Sequence, residues 1–264
     1  MEFGKQTFAK RLKSMLKVDF RRMFTQPLFY MMAGIALVVP ILVLVMVTMM
    51  DGSVSVDPTT GVETVVEGFD NAWQAIAAPS TESTAGMDMV SMCNINLLYF
   101  AAAVFVCIFV SDDFRSGYAK NLFAVRAKKA DYVISKTLAG FVCGGVMILA
   151  WLVGTLLGGA VAGLSFDLGA AGVSGLVMCL LGKSFLMLLF AALSLLLAVA
   201  AKQRLWMSIT LSLMAGMLLF MMIPMLTPLD SGLGNAIGCL VGGAALSVGL
   251  GAGSNLVLKK TSLV

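Results

Sequence analysis

The chain has 264 residues, 59% of them hydrophobic and only 12% charged, with a net charge of +4 and a mean hydropathy of +0.97. A soluble domain carries roughly 25% charged residues, so this composition excludes an ordinary water-soluble fold and describes an integral membrane protein. The absence of histidine removes the commonest general base and metal ligand.

Five cysteines, Cys93, Cys107, Cys143, Cys179 and Cys239, are odd in number and scattered mostly through apolar runs. They read as small packing residues rather than as a disulfide framework or a zinc site. The twenty methionines read as filler between helices.

Taken in order, residues 1–27 carry Lys5, Lys10, Arg11, Lys13, Lys17, Arg21 and Arg22. Phe8, Leu12, Met15, Leu16, Phe20, Met23 and Phe24 recur at three- and four-residue spacing. On a helical wheel the apolar set covers about half the circumference and most of the cations the other half. This predicts an amphipathic helix in the headgroup layer, its cations toward anionic lipid. A cleaved signal peptide fits less well, because the basic region is long and the next apolar run is extended.

Leu28 to Met50 is uncharged and long enough to cross a hydrocarbon core of about 30 Å. Pro40 within it should kink the helix or be absorbed by its neighbours. Residues 51–92 then contain Asp51, Asp57, Glu63, Glu67, Asp70, Glu82 and Asp88 but no Lys or Arg, which marks an outer loop. Within it Val65, Val66, Phe69, Ala72, Trp73, Ile76 and Ala77 keep a helical period, predicting a short helix over the outer mouth with Trp73 at the membrane interface.

A second span runs from Met89 or Ile95 to Val110. The polar stretch 111–136 follows, with Arg115, Lys120, Arg126, Lys128, Lys129 and Lys136 outnumbering Asp112, Asp113 and Asp131, so it returns to the cytoplasm. Leu138–Gly163, Val173–Ala200, Leu205–Leu226 and Ala236–Leu258 supply four more spans. The predicted protein is therefore all-α, a six-span domain over 28–264 behind the interfacial helix, with both termini cytoplasmic. Every Lys and Arg except Lys183 falls on the predicted inner side. Gly140 and Gly144, Gly154 and Gly158, Gly159 and Gly163, Gly238 and Gly242, and Gly249 and Gly253 lie four apart, which favours close helix packing within the chain or at a dimer face.

No catalytic site and no metal site emerges. Gly182, Lys183 and Ser184 look like the end of a phosphate-binding loop, but Val177 stands where its first glycine is required. That leaves Lys183 as a cation inside a span, at an insertion cost of about 2.5–3.5 kcal/mol, serving either a translocation path or a structural hydrogen bond.

Asp113-Phe114-Arg115-Ser116-Gly117, followed by Lys120-Asn121-Leu122 and a basic segment leading into the third span, resembles the inner loop of ABC-2 type transporter permeases. The amphipathic leader, the large first outer loop and the six spans resemble that family along the whole chain. In length and loop pattern the chain is most similar to small bacterial permeases that export peptides or lipophilic compounds, including bacteriocin or lantibiotic immunity systems. It departs from the pattern at Tyr118, where many relatives carry Thr.

The resemblance implies a multi-pass plasma-membrane permease subunit paired with a second permease chain, identical or not. It implies a coupling helix in the 111–136 loop, docked on a cytoplasmic ATPase dimer through Asp113, Phe114, Gly117, Lys120 and Asn121. ATP and Mg would be bound by that ATPase and no cofactor by this chain; no nucleic-acid partner is implied. Its exported cargo would be an amphiphilic peptide, antibiotic or lipid-like molecule moved by alternating access. An ATP-independent secondary transporter or channel, and a membrane scaffold or sensor without flux, are the alternative classes.

Overall fold

The structure is a computed structural model that describes residues 7–56, 63–65, 68–78, 94–124, 128–201 and 204–260. Among them nine α-helices run in chain order: α1 (Phe8–Thr25), α2 (Pro27–Met50), α3 (Leu97–Arg115), α4 (Tyr118–Ala124), α5 (Lys129–Ala162), α6 (Gly172–Ala200), α7 (Leu205–Phe220), α8 (Ile223–Leu226) and α9 (Leu233–Lys260). Five of these, α2, α3, α5, α6 and α9, are long and apolar enough to cross a membrane.

The amphipathic leader forms as α1 and stops where Gln26 turns extended before Pro27. Proline disfavours helical geometry in the residue before it and suits the first helical position. The apolar side of the leader lies against the bundle. Met15, Phe20 and Met23 pack into the core and α1 lies against α5, with Asp19 buried beside them. Lys10, Lys13, Lys17 and Arg21 form its exposed stripe.

Helix α5 is the axis, touching α1, α2, α3, α6 and α9. Its 34 residues span about 51 Å, well beyond the hydrocarbon thickness, so the charged segment expected as loop is largely helix. Ser111–Arg115 finish α3, and Lys129–Lys136 open α5. The α2–α5 contact is close because Gly154 and Gly158 face Leu37, Pro40 and Ile41, and a Cβ on Gly158 would lie 2.8 Å from the Ile41 Cα. Pro40 accordingly sits buried inside an unbroken helix.

The span expected over Leu205–Leu226 is broken. Helix α7 ends at Phe220, and α8 resumes for one turn with Pro224 in its first positions. Pro224 has no N–H to continue the ladder and its ring crowds the preceding turn.

Rows of large apolar residues on α2 (Met31, Ile35, Val38, Leu42, Met46), α7 (Trp206, Met214, Leu218) and α9 (Ile237, Val241, Val248) are exposed. In a membrane these are lipid-facing. Many methionines are therefore at the bundle surface; Met23, Met147 and Met187 do fill the core.

The two ends of the bundle differ. At the acidic end the expected helix over Val65–Ala77 is replaced by an antiparallel pair of three-residue strands, β1 (Val54–Val56) and β2 (Glu63–Val65), and one 3-10 turn, Ala72–Ala75. Asn71 and Gln74 cap the start of that turn reciprocally, which satisfies its first free N–H groups. Trp73 is buried, its indole N–H donating to the Phe166 carbonyl at 2.9 Å. The turn plugs the bundle: the Trp151 indole and the Ile95 N–H both donate to the Ala75 carbonyl at 3.0 Å, and the Leu229 N–H donates to Ala78. Val66, Glu67, Glu82, Asp88 and the alternative span start at Met89 lie outside the described residues.

The glycine pairs separate along the same lines. Gly140 and Gly144 face Val106 and Met187, whereas Gly238, Gly242 and Gly249 on α9 have open space. Gly158→Leu should therefore lower the unfolding temperature in detergent, at an overpacking cost of about 1–3 kcal/mol or more. Gly238→Leu should leave that temperature essentially unchanged.

Candidate functional site

At the basic end, α3 turns into α4 through Gly117, whose φ of +73° is in the left-handed region, where a side chain would be strained. The Ser116 N–H and hydroxyl both donate to the Asp112 carbonyl and close α3. Helix α4 then buries Ala119 and packs Leu122 and Phe123 on the core, the Phe123 ring meeting Tyr132 edge-on at 5.4 Å. Its other face exposes Lys120 and Asn121.

Of the residues expected at a docking surface, Lys120 and Asn121 are thus outward and Gly117 makes the turn. Phe114 is half-buried, its ring 6.5 Å from Tyr132. Asp113 differs most: its side chain is fully buried, and it lies at the C-terminal turn of α3, not near a helix N-terminus. The macrodipole there disfavours a carboxylate, so Asp113 depends on specific cations and cannot present its oxygens to a partner in this conformation.

Those cations come from two other helices. The Asp113 Oδ1 accepts from Arg22 Nη1 at 2.6 Å; its Oδ2 accepts from Lys136 Nζ at 2.7 Å and from the Tyr132 hydroxyl at 3.0 Å. Lys136 also donates to Asp19 Oδ1 at 2.8 Å, and Ser135 donates to the other Asp19 oxygen at 2.5 Å. Two carboxylates and two cations thereby form one closed, formally neutral cluster joining α1, α3 and α5.

Aromatic faces complete its shell. Lys136 Nζ lies 3.8 Å from the Phe109 ring centre, and the Arg22 guanidinium is 4.3 Å from Tyr118 and 5.5 Å from Phe109. Burial disfavours the charge on Arg22, but Asp113 more than offsets it, so the guanidinium is held even more firmly protonated than usual. A further pair, Arg11 with Asp131 at 2.9 Å, binds α1 to the start of α5, and Lys129 Nζ donates to the Leu258 carbonyl at 2.6 Å near the end of α9.

Sequence reasoning missed Asp19, Arg22, Tyr132, Ser135 and Lys136 as a unit. A signal existed for Asp19, which falls on the wheel between Met15 and Leu12 in the apolar half, whereas Arg22 lies at the edge of that half beside Arg11. A charge on the apolar stripe of an interfacial helix requires a buried partner.

Lys183 is a separate case. It sits on α6, fully buried, and donates to Asn96 Oδ1 at 2.7 Å and Thr227 Oγ1 at 3.1 Å. Its carbonyl accepts from the Tyr99 hydroxyl at 2.9 Å. Its ammonium therefore does not snorkel. It ties the start of α3 and the end of α8 to α6 through neutral oxygens, and no ion pair to it occurs among the described residues. Cys107, Cys143, Cys179 and Cys239 are buried, and Cys93 lies outside the described residues.

These features define an α-helical, multi-pass membrane protein with a hydrogen-bonded plug at one end and an ion cluster at the other. Comparison with protein-family models, with curated proteins and with solved structures returned no match.

The two buried lysines should respond differently to removal. Lys136→Met strands two carboxylates beside one guanidinium and should cost about 3–5 kcal/mol. Lys183→Met leaves one amide oxygen unpaired, at about 1–3 kcal/mol, while relieving an insertion cost of similar size. Thermal unfolding in nanodiscs should show a large drop for the first and a change within about 2 kcal/mol for the second.

Proposed function

We propose that the chain is the permease subunit of an ATP-binding cassette exporter of the ABC-2 type, working with a second permease chain and a separate cytoplasmic ATPase. In this reading α1 is the elbow helix, α4 is the coupling helix, and α7 with α8 forms the fifth of six crossings. The observation that carries it is α4, a seven-residue helix held at the basic end by a glycine turn, with Lys120 and Asn121 outward.

The distribution of charge supports a plasma-membrane orientation with α1 and the end of α9 in the cytoplasm. Exposed Lys10, Lys13, Lys17, Arg21, Lys120, Lys128, Lys259 and Lys260 share one end, and Asp51, Asp70 and Asp167 the other. This follows the positive-inside bias. Docking would rest on Lys120 and Asn121, with Gly117, Phe114 and Asp113 shaping the turn from beneath. ATP and Mg would belong to the ATPase, whose closure would drive alternating access for an amphiphilic peptide, antibiotic or lipid-like cargo.

Ion-coupled secondary transporters place paired ionisable groups near mid-membrane, whereas the bonds of Lys183 go to an amide and a hydroxyl. That favours an external energy source.

Co-expression with an ATPase encoded beside this chain should yield a complex that survives purification. Asn121→Ala and Lys120→Glu together should weaken the complex by about tenfold or more, roughly 1.4 kcal/mol. Failure of any ATPase to co-purify, or a complex unaffected by both changes, would exclude the docking surface.

A further inference from the structure

Tyr118 occupies the first position of α4. Seven residues cannot sustain a helix alone, because nucleation is costly and short helices depend on tertiary packing. Its joint to α3 is also permissive. Gly117 has φ +73° and nothing within 4 Å of where a Cβ would stand, so beyond its backbone bonds the glycine offers no side-chain contact that fixes the direction of α4. The orientation of α4 must come from its anchors.

Beside the burial of Ala119 and the packing of Leu122 on the core, two aromatic anchors reach different helices. At its far end Phe123 packs edge-on against Tyr132 of α5. At its near end the Tyr118 ring lies 4.3 Å from the Arg22 guanidinium of α1, within the range in which a cation is attracted to an aromatic face. Arg22 is itself immobilised, its Nη1 on Asp113, which shares Lys136 with Asp19 one turn back along α1. The path from Tyr118 therefore runs through Arg22, Asp113, Lys136 and Asp19 and returns to α1.

The phenol remains a neutral ring. Partial burial raises its pKa, as do the Asp19 and Asp113 carboxylates, against the opposing influence of Arg22.

We propose that Tyr118 is a positioning residue, whose stack on Arg22 locks α4 to α1 so that the two helices turn as one body. Resting on the permease reading, a push on Lys120 and Asn121 is delivered to α1, and through the Gln26–Pro27 joint to α2, as well as along α3. Without the ring, α4 swings about Gly117 and the push is lost.

The clamp is tested on the full-length protein in nanodiscs with no ATPase present, which separates it from the question of the partner. Spin labels at Lys17→Cys and Ala124→Cys, in a Cys93→Ser background, report the α1 to α4 distance; the other cysteines are buried. The wild type and Tyr118→Phe should give one narrow distribution. Tyr118→Ala and Tyr118→Thr should broaden it at least twofold, and Arg22→Lys, which keeps the charge but loses the planar face, should fall between.

Tyr118 is only partly buried, so its truncation empties no core cavity. A distribution unchanged in both Tyr118→Ala and Tyr118→Thr overturns the clamp, as does equal broadening in Tyr118→Phe. With a partner ATPase present, Tyr118→Ala should retain complex formation and lose at least tenfold in transport. Unaltered transport would overturn the transmission of force, while absence of any partner would overturn the permease reading and leave the distance result standing.

Discussion

The buried cluster of Asp19, Arg22, Asp113 and Lys136 is the constraint on which the rest of this structure depends. Removing such charges from water costs several kcal/mol per ion, and only several well-formed bonds per group can offset that. Each carboxylate here accepts at both oxygens, and Lys136 serves both carboxylates. Because no member can leave without stranding the others, α1 is fixed in register against α3 and α5. The exposed stripe Lys10, Lys13, Lys17 and Arg21 is a consequence: once the Asp19 and Arg22 side turns inward, with Arg11 on Asp131, these four cations face out.

The opposite end achieves closure by different means. There the backbone of the Ala72–Ala78 segment is bonded to α5, to the entry of α3 and to the α8–α9 connection, and Lys183 knots α3, α6 and α8 just beneath. All these partners are neutral oxygens and N–H groups. The bonds of the turn exchange more readily than a network of full charges, because a lost neutral bond costs less than a stranded ion, whereas the buried Lys183 ammonium would itself be stranded without its two oxygens. The bundle thus combines a charge-locked basic end with an acidic end closed by hydrogen bonds.

Between these ends α5 transmits position. It carries Tyr132, Ser135 and Lys136 of the cluster, the glycines that admit α2, and Trp151 beneath the plug. A displacement of its basic end is therefore felt along its whole length, since packed interiors yield little. Helix α4 is the small element placed outside this frame, with one face on the core and the other exposed.

Hydropathy and the placement of charge determined a great deal: the membrane class, the long apolar helices and the uneven charge of the two ends. These are local quantities, set by runs of side chains. What only the tertiary structure decided was pairing. Asp19 reaches Lys136 across 117 positions, and no window holds both, so Asp113 read as a surface residue when it is the centre of a buried cluster. The outer turn escaped for a related reason. Val65 to Ala77 keeps a helical period, yet only Ala72–Ala75 form a 3-10 turn, bonded to Ser165 and Phe166 and, through the Ala75 carbonyl, to Ile95 and Trp151. Periodicity records which side chains avoid water, whereas the choice of partner rests on which helices meet, and that is settled only when the bundle closes.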